Sequence, residues 1–284
     1  MLIFHRVQDL IKALQNLRDH SIGFVPTMGA LHEGHLSLIR ASKQENDCTV
    51  CSIYVNPTQF NNSEDLIKYP RNIEKDCQLL QSENCDILFA PTDAEMYPQG
   101  FHAELIKIHF GTIETILEGA YRPGHFQGVG LIISKLFNII HPTRAYFGLK
   151  DLQQCFIIKK LVSDLSYRIE LRFCPTVREK DGLAMSSRNA LLSDEARQLA
   201  PQIYQTLLQV QKALEQGYST QGAIHFGKHF LLQQKEFQLE YLEIVNFETF
   251  EFLESVQKNT KIAICLAAWL KNVRLIDNLV FELR

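Results

Sequence analysis

The sequence predicts an α/β fold, with a Rossmann-like parallel sheet covered by helices on both faces and a smaller C-terminal α+β domain. The first half alternates short apolar runs with helical patterns, which is typical of a parallel sheet whose strands are joined by helices. After Val177 the pattern changes to two helical stretches followed by three extended runs. We therefore expect two domains, a nucleotide-binding domain of residues 1–176 and a lid domain of residues 177–284.

Hydrophobic periodicity predicts the individual elements. In the first domain we expect strands at residues 22–25, 48–55, 86–89, 145–147 and 169–173. Helices are expected from the loop at residue 32 to about residue 42, and at residues 73–81, 126–140 and 151–164. The polar stretch 61–69 is interpreted as a mobile loop. In the second domain we expect helices at residues 193–216 and 220–234 and strands at residues 239–245, 261–267 and 273–281.

Composition narrows the class of protein. The chain has 284 residues, is 46% hydrophobic and 21% charged, and carries a net charge of −3, all ordinary for a globular protein. That charge provides no overall positive field for nucleic acid or for an anionic membrane. No apolar run reaches the roughly 18 residues of a membrane-spanning helix, and polar residues interrupt the N-terminal stretch, unlike a signal peptide. We expect a cytoplasmic protein.

The seven cysteines are odd in number and scattered, which argues against a disulfide framework. Cys48 and Cys51 form a CxxC motif, but they lie in a run that is interpreted as a buried strand. Side chains three residues apart on a strand face opposite sides of the sheet, and the chain has no second CxxC to complete a zinc site. We interpret both cysteines as core residues.

The most informative segment is residues 26–35, with the sequence PTMGALHEGH. It follows an expected strand and leads into a helix, which is where α/β sheets bind nucleotides. Gly29 lets the backbone approach a ligand closely, and His32 and His35 share one face of the helix start. The free N–H groups of a helix N-terminus bind phosphate. Two imidazoles there can stabilise the charge that grows as pyrophosphate leaves.

Two other interpretations of this histidine pair stay open. The sequence HEGH resembles the zinc-protease motif HExxH but is one residue short, so the two histidines lack the i, i+4 spacing. The pair can also serve only as hydrogen-bonded helix caps.

Two further segments carry groups that suit phosphate. The loop of residues 185–189, MSSRN, follows REKDG at residues 178–182 and supplies hydroxyls and an arginine. The segment FGLKDLQQ, residues 147–154, places Lys150 at a strand-to-helix turn, with Gln154 on the same helical face four residues later.

The last two segments are less charged. YVNPTQF, residues 54–60, places amides at the end of a strand, where they suit a hydroxyl or carbonyl group of a substrate. In residues 118–126, EGAYRPGHF, Arg122 can either face an anion or belong to a structural loop.

In order and spacing these five segments resemble the pantothenate synthetase family, part of the class I aminoacyl-tRNA synthetase-like nucleotidyltransferases. The resemblance extends over roughly residues 20–280 and includes the C-terminal LIDN at residues 275–278. The histidine segment alone would indicate only the superfamily, whereas the two glutamine-bearing segments indicate the family.

The resemblance implies an amide-forming ligase that uses ATP, pantoate and β-alanine, makes pantothenate, AMP and pyrophosphate, and passes through a pantoyl-adenylate. It also implies Mg²⁺ on the phosphates and a homodimer. Carried over by position, the catalytic residues would be His35, His32, Lys150 and Arg188. ATP would be bound by Met28, Gly29, Ala30, Leu31, His32, Glu33, Gly34, His35, Gly148, Leu149, Lys150, Asp151, Val177, Met185, Ser186, Ser187 and Arg188. Pantoate would be bound by Gln59, Gln154 and Asn56, and β-alanine by Gln59, while Asp76 would stand behind the Mg²⁺ without touching it.

One position departs from the family pattern, and two other functions compete. Family members often carry glutamate where this chain has Leu149, although Lys150 and Asp151 follow intact. A nucleotidyltransferase that leaves the nucleotide on its product would share the histidine segment but would not need the two glutamines. A catalytically dead nucleotide-binding module is the other alternative, and the intact histidines, lysine and arginine argue against it.

Overall fold

A computed structural model describes residues 1–17, 19–101 and 105–283 of the chain. These residues form two compact units. The first comprises residues 1–149 and 154–175, and the second comprises residues 150–153 and 176–284. The turn at residues 150–153, which the sequence assigned to the first domain, is grouped with the second unit. The nucleotide-binding and lid roles expected for the two domains stay predictions.

The first unit is built on a parallel sheet, to which six strands of the described residues contribute. They are β1 (Leu2–Phe4), β2 (Ile22–Thr27), β3 (Cys48–Ile53), β4 (Ile87–Phe89), β5 (Arg144–Gly148) and β6 (Glu170–Cys174). Their order across the sheet is β1-β4-β3-β2-β5-β6, and neighbouring strands are parallel throughout. The chain moves outward from β2 to β4 and then returns to place β5 on the other side of β2. The winding direction therefore reverses between β2 and β5, a point at which open α/β sheets bind ligands.

Helices cover both faces of this sheet, as the sequence predicted. They are α1 (Val7–Gln15), α2 (Glu33–Glu45), α3 (Ser63–Lys68), α4 (Ile73–Ser82), α5 (Asp93–Met96), α6 (Glu118–Tyr121), α7 (His125–Ile140) and α8 (Leu152–Asp164). Alternate strand residues enter two separate cores, because successive side chains of a strand face opposite ways. One core combines α1, α7 and α8 with the strands through residues such as Leu10, Phe24, Val50, Phe137, Phe147 and Ile157. The other combines α2 and α4 with the strands through residues such as Val25, Ile39, Cys51, Leu80 and Tyr146.

The cysteines behave as core residues. Cys48 and Cys51 lie in different cores and so on opposite faces of β3, which confirms the interpretation of the CxxC motif. All seven cysteines are free. Burial raises the pKa of Cys48 to about 11 and that of Cys85 to about 12, so both thiols stay protonated at neutral pH.

Several short elements of the first unit were not expected from the sequence, among them the four-residue helices α5 and α6. The stretch 61–69, interpreted as a loop, contains the short helix α3, and the side chain of Asn62 caps it by accepting from the Glu64 amide at 2.8 Å. The helix buries none of its residues, so it leaves no apolar periodicity in the sequence. The strand β1 was also missed, because a three-residue strand is too short to show a period of two.

The second unit packs helices on an antiparallel sheet. Its helices are α9 (Asp194–Leu199), α10 (Gln202–Glu215) and α11 (Thr220–Leu231), and its described strands β7 (Phe237–Asn246), β8 (Thr260–Leu270) and β9 (Val273–Leu283) pair in the order β7-β8-β9. The single helix expected at residues 193–216 is two helices that divide before Pro201, whose ring and missing N–H disfavour a helix interior. In the described part of the chain, no helix is long and apolar enough to cross a membrane.

Candidate active site

The loop between β2 and α2 has a backbone conformation that another helix holds in place. Gly29 has φ of 81° and Ala30 has φ of 50°, both in the left-handed region. The carboxylate of Asp76, on α4, accepts from the Ala30 amide at 2.9 Å and from the Leu31 amide at 2.8 Å. A side chain at Gly29 would place its Cβ 3.0 Å from Asp76 Oδ2. Glycine is therefore required both for the backbone angle and for the approach of this carboxylate.

His32 and His35 cap the helix that follows the loop. Nδ1 of His32 accepts from the Gly34 amide at 3.1 Å, and Nδ1 of His35 lies 3.4 Å from the His32 amide, a long contact of the same kind. The two ring centroids are 4.1 Å apart. Because Nδ1 of a capping imidazole acts as an acceptor, each neutral ring carries its proton on Nε2 and can donate from that atom. The two histidines are thus helix caps, as the capping alternative expected. Because capping uses Nδ1, Nε2 of each ring still has the chemistry to donate to a phosphate oxygen.

Asp76 was expected near a Mg²⁺ ion. Its side chain is only 2% exposed, and each carboxylate oxygen already accepts a backbone amide. Within the described residues, no cluster of three or more histidine, cysteine, aspartate or glutamate side chains could hold a metal. These residues do not form a protein cage for Mg²⁺, and a role for Asp76 behind the ion stays a prediction.

Gln59 lies on a 3-10 turn, Pro57–Gln59, that follows β3. Asn56 at the start of the turn is 1% exposed, and its Oδ1 accepts from Tyr97 Oη at 2.8 Å and from Thr58 Oγ1 at 3.1 Å. Burial raises the pKa of Tyr97, so its phenol remains a donor to Asn56. The Asn56 side chain thus stabilises the turn through these two hydrogen bonds. A direct contact between Asn56 and a substrate stays a prediction.

The backbone carbonyl of Gln59 is held by the segment around α6 and α7. His125 Nδ1 lies 2.9 Å from Gln59 O, and Arg122 Nη1 lies 3.2 Å from His125 Nε2. An arginine can only donate, so Nε2 of His125 accepts and Nδ1 carries the proton that it donates to Gln59. Glu118 approaches Arg122 at 3.9 Å. This chain of contacts favours the structural interpretation of Arg122, and the positioning role of His125 was missed by the sequence analysis.

The side-chain amides of Gln59 and Gln154 have the properties of ligand-binding groups. Gln59 is 8% exposed and Gln154 is half-buried on the first turn of α8. Within the part of the chain that the structure describes, neither side-chain amide has a hydrogen-bond partner. Both amides are therefore free to bind water or a ligand.

Three of the expected segments in the first unit stand on adjacent strands. The histidines follow β2, Gln59 follows β3 and Gln154 follows β5, and β2 lies between the other two strands. All strands are parallel, so the segments share the carboxyl edge of the sheet, next to the reversal point between β2 and β5. Gly148 ends β5, and the half-buried Leu149 packs against the core beside α8. A contact of either residue with ATP stays a prediction.

A cavity of about 460 Å³ opens at the same edge of the first unit. Met28, Gly29 and Asp76 line it on the loop side, and Tyr54 and Asp93 line it on the side of β3 and β4. The two histidines and the two glutamines do not line it. The cavity therefore lies beside these groups rather than among them.

The remaining expected ATP contacts belong to the second unit. Lys150 Nζ lies 3.6 Å from Asp151 Oδ1. The Met185 amide donates to Val177 O at 3.0 Å, so residues 177–185 form a closed loop. Ser186 then caps the 3-10 turn Ser187–Leu191 by accepting from the Arg188 amide at 3.3 Å. The structure thus brings Lys150 and Asp151 into one unit with Val177 and residues 185–188.

Comparison with known proteins identifies one family over nearly the whole chain. The model of the pantoate-beta-alanine ligase family matches residues 2–280. The pantothenate synthetase of Cytophaga hutchinsonii is 51% identical over 272 residues, which cover 95% of each chain. That of Caldicellulosiruptor bescii is 45% identical over 285 residues, which cover 99% of each chain.

Solved structures agree with this result. The crystal structure of pantothenate synthetase from Thermus thermophilus matches with a TM-score of 0.91 and 43% identity, covering 98% of this chain and 99% of that one. The pantoate-beta-alanine ligase from Francisella tularensis, complexed with beta-gamma ATP and beta-alanine, matches with a TM-score of 0.82 and 36% identity, covering 99% and 97%. The likeness extends over both units.

Proposed function

Because this chain belongs to the pantoate-beta-alanine ligase family, we propose that it joins pantoate to β-alanine with ATP, forming pantothenate, AMP and pyrophosphate through a pantoyl-adenylate. One observation supports this most strongly. The histidine-capped helix α2 follows β2, which lies between the strands that precede Gln59 and Gln154. The side-chain amides of both glutamines have no partner in the described residues. Phosphate-binding groups beside uncharged polar groups suit an acid that is to be adenylated. The complex of the Francisella tularensis relative with an ATP compound and β-alanine supports the same substrates.

The chemistry explains why an adenylate is needed. A carboxylate is a poor electrophile towards an amine, whereas the mixed anhydride of a carboxylate with AMP has a good leaving group. The carboxylate oxygen of pantoate attacks the α-phosphorus of ATP and pyrophosphate leaves. The amine of β-alanine then attacks the acyl carbon, AMP leaves and the amine gives up a proton. We assign the enzyme the task of alignment and charge stabilisation rather than covalent catalysis.

Each expected residue has a task in this scheme. His32 and His35 donate from Nε2 to phosphate oxygens as negative charge grows on departing pyrophosphate. Gln59 and Gln154 bind the hydroxyl and carbonyl groups of pantoate, and Gln59 also borders the β-alanine position. Lys150 and Arg188 supply positive charge to the phosphates. The backbone of residues 28–31, 148–151, 177 and 185–188 completes ATP binding.

Several finer expectations belong to this proposal. Mg²⁺ would be held mainly by phosphate oxygens of ATP and by water, which it prefers as ligands, and would offset the phosphate charge. The homodimer, the cytoplasmic location and the lid role of residues 61–69 and of the second domain remain predictions.

Isotope exchange tests the proposal. Labelled pyrophosphate should enter ATP when pantoate and Mg²⁺ are present and β-alanine is absent, because adenylation precedes entry of the amine. Omitting pantoate is the control and should abolish the exchange. An enzyme that leaves nucleotide on another product, or an inactive binding module, would not catalyse pantoate-dependent exchange. Exchange that requires β-alanine would contradict the proposed order, and mass spectrometry of the complete reaction should show pantothenate and AMP.

A further inference from the structure

The C-terminal sequence LIDN has no task in the scheme above, yet it is among the most buried polar segments of the second unit. Asp277 is 3% exposed and Asn278 is 6% exposed, and both lie on β9. Buried polar side chains are retained at a cost unless they make hydrogen bonds. Their partners therefore indicate what the segment does.

Asp277 holds Arg178 in a two-point ion pair. Arg178 Nη1 donates to Asp277 Oδ2 at 2.6 Å, and Nη2 donates to Oδ1 at 3.0 Å. The guanidinium also stacks on the Tyr204 ring, 3.8 Å from its centroid. Burial raises the pKa of the Asp277 carboxyl, and the fork of Arg178 opposes that rise. A forked pair fixes direction as well as distance, so Arg178 is held in one orientation.

Arg178 in turn shapes the loop that ends in MSSRN. Its Nη1 also donates to Gly182 O at 3.1 Å, across the loop. Arg178 and Ala184 form an isolated antiparallel bridge. Gly182 has φ of 93°, and a Cβ there would lie 2.6 Å from the Tyr204 ring. The path of residues 177–185 is thus fixed by contacts that lead back to Asp277.

Asn278 holds the other expected ATP segment of this unit. Its Nδ2 donates to the backbone carbonyl of Lys150 at 2.8 Å. The same residue accepts from Arg178 Nη2 at its own carbonyl, at 3.0 Å. Two adjacent residues of β9 are therefore connected both to the Lys150 turn and to the loop that precedes Met185.

We propose that Asp277 and Asn278 are positioning residues that set the Lys150 turn and the loop carrying residues 185–188 in their ATP-binding geometry. This inference rests on the proposed function for its assignment of those segments to ATP. Neither residue has to touch a substrate, because each acts through a backbone carbonyl or through Arg178. The contribution of the Lys150 turn and of residues 185–188 to ATP binding should therefore depend on the Asp277 and Asn278 side chains, which lie on β9.

Removing the Asn278 donor tests the proposal. Asn278→Ala leaves the Lys150 carbonyl without this bond, and one net hydrogen bond corresponds to a change of about 3- to 10-fold. We expect calorimetry to show ATP binding weakened by that factor and pantoate binding unchanged. Asn278→Ser provides a second variant in case the first does not fold, because its hydroxyl is too short to reach the carbonyl. Arg178→Lys, which loses the fork, should weaken ATP binding in the same way.

The matched control is Asn246→Ala on β7 of the same sheet. The Asn246 side chain accepts from the Glu248 and Thr249 amides at 2.7 and 3.2 Å and thus caps a turn that is not assigned to ATP. Its loss should lower thermal stability and leave ATP affinity within twofold of the wild type. An equal loss of ATP affinity in the control would overturn the proposal, because it would show a general effect of stability.

A double-variant cycle separates positioning from a merely structural role. If Asn278 acts through the turn that carries Lys150, then Asn278→Ala should weaken ATP binding less in a Lys150→Ala background than in the wild type. Full additivity of the two substitutions, or unchanged ATP affinity in Asn278→Ala and Asn278→Ser, would overturn the proposal. The outcome is independent of the exchange reaction. A wild-type protein that binds ATP without pantoate-dependent exchange would refute the proposed function, and the cycle would still decide the role of Asn278.

Discussion

The substitution Asp76→Asn should disable the loop between β2 and α2 without changing the shape of any residue in it. The carboxylate accepts from the Ala30 and Leu31 amides at 2.9 and 2.8 Å, whereas an asparagine offers one acceptor oxygen and turns an NH₂ group towards the other amide. A hydrogen bond to a charged group contributes about 1.5–3 kcal/mol. The loop also contains Ala30 at φ of 50°, a conformation that costs an L-residue about 1–2 kcal/mol. With one bond lost, the backbone should leave the left-handed conformation more often.

The magnitude follows from that balance. A loss of 1.5–3 kcal/mol corresponds to roughly a 10- to 150-fold fall in the ratio of ordered to open loop. If His32 and His35 work only from that loop, kcat/KM for ATP should fall with the ordered fraction, by up to this factor. Hydrogen exchange at the Ala30 and Leu31 amides should accelerate with the open fraction, since the opening that frees them is the opening that disables the site.

A matched substitution distinguishes this loop effect from general destabilisation. Asp86, at the amino end of β4, likewise accepts a backbone amide, that of Thr49 at 2.7 Å, and pairs with Lys43. Asp86→Asn should lower the thermal midpoint and leave kcat/KM for ATP close to the wild-type value. Unchanged protection of the Ala30 and Leu31 amides in Asp76→Asn, or equal losses of activity in the two variants, would refute the reasoning.

Four further predictions concern the groups around this loop. His35→Ala should keep the fold by circular dichroism and lose about 10²–10³ in kcat, as expected for one donor to a transition state; near wild-type turnover would remove His35 from the mechanism. His32→Asn keeps a cap for α2 but loses the Nε2 donor, so turnover should fall at least tenfold with an unchanged thermal midpoint, and unchanged turnover would leave His32 only the capping role. Gln59→Leu and Gln154→Leu should each weaken pantoate binding by about 1–3 kcal/mol in calorimetry, with ATP binding nearly intact; equal losses for both ligands would show that these amides do not form the pocket for the acid. His125→Phe should raise the KM for pantoate roughly tenfold by freeing the Gln59 carbonyl, and a pantoate KM equal to that of the wild type would contradict the positioning role.

Periodicity was sufficient to predict the parallel sheet, its helices and the change of architecture after residue 176. The central strands of that sheet, β2 and β3, place alternate residues in two cores and are largely apolar, as at residues 22–25. Where an element buries little, the sequence carries no such pattern. The helix α3 buries none of its residues and was interpreted as a loop. The division between α9 and α10 has a cause in the sequence, because Pro201 disfavours a helix interior. One helix was predicted because the apolar pattern continues on both sides of the proline.

The site was predictable to a different extent. The glycine, the histidines and the two glutamines are recognisable because their residue types are unusual at the positions where strands end. The loop-holding role of Asp76 and the positioning role of His125 are not, because their partners lie 45 and 66 residues away in the chain and are backbone groups, which have no sequence signature. Hydrogen bonds from side chain to distant backbone are therefore where structure adds most to the interpretation of this sequence.

The choice of histidine at the start of α2 connects the fold to the proposed chemistry. A helix N-terminus is capped best by serine, threonine, aspartate or asparagine, and histidine has no advantage in that role. His32 nevertheless caps α2 through Nδ1, at 3.1 Å from the Gly34 amide. A serine or an aspartate would satisfy the same amide, but neither would then offer an N–H donor fixed in direction by the cap itself. In the imidazole, the bond at Nδ1 places the proton on Nε2 and orients the ring at once. His32 can therefore cap the helix and also donate a hydrogen bond in a fixed direction to an anion at the helix N-terminus. In the proposed reaction, pyrophosphate is released at this helix N-terminus.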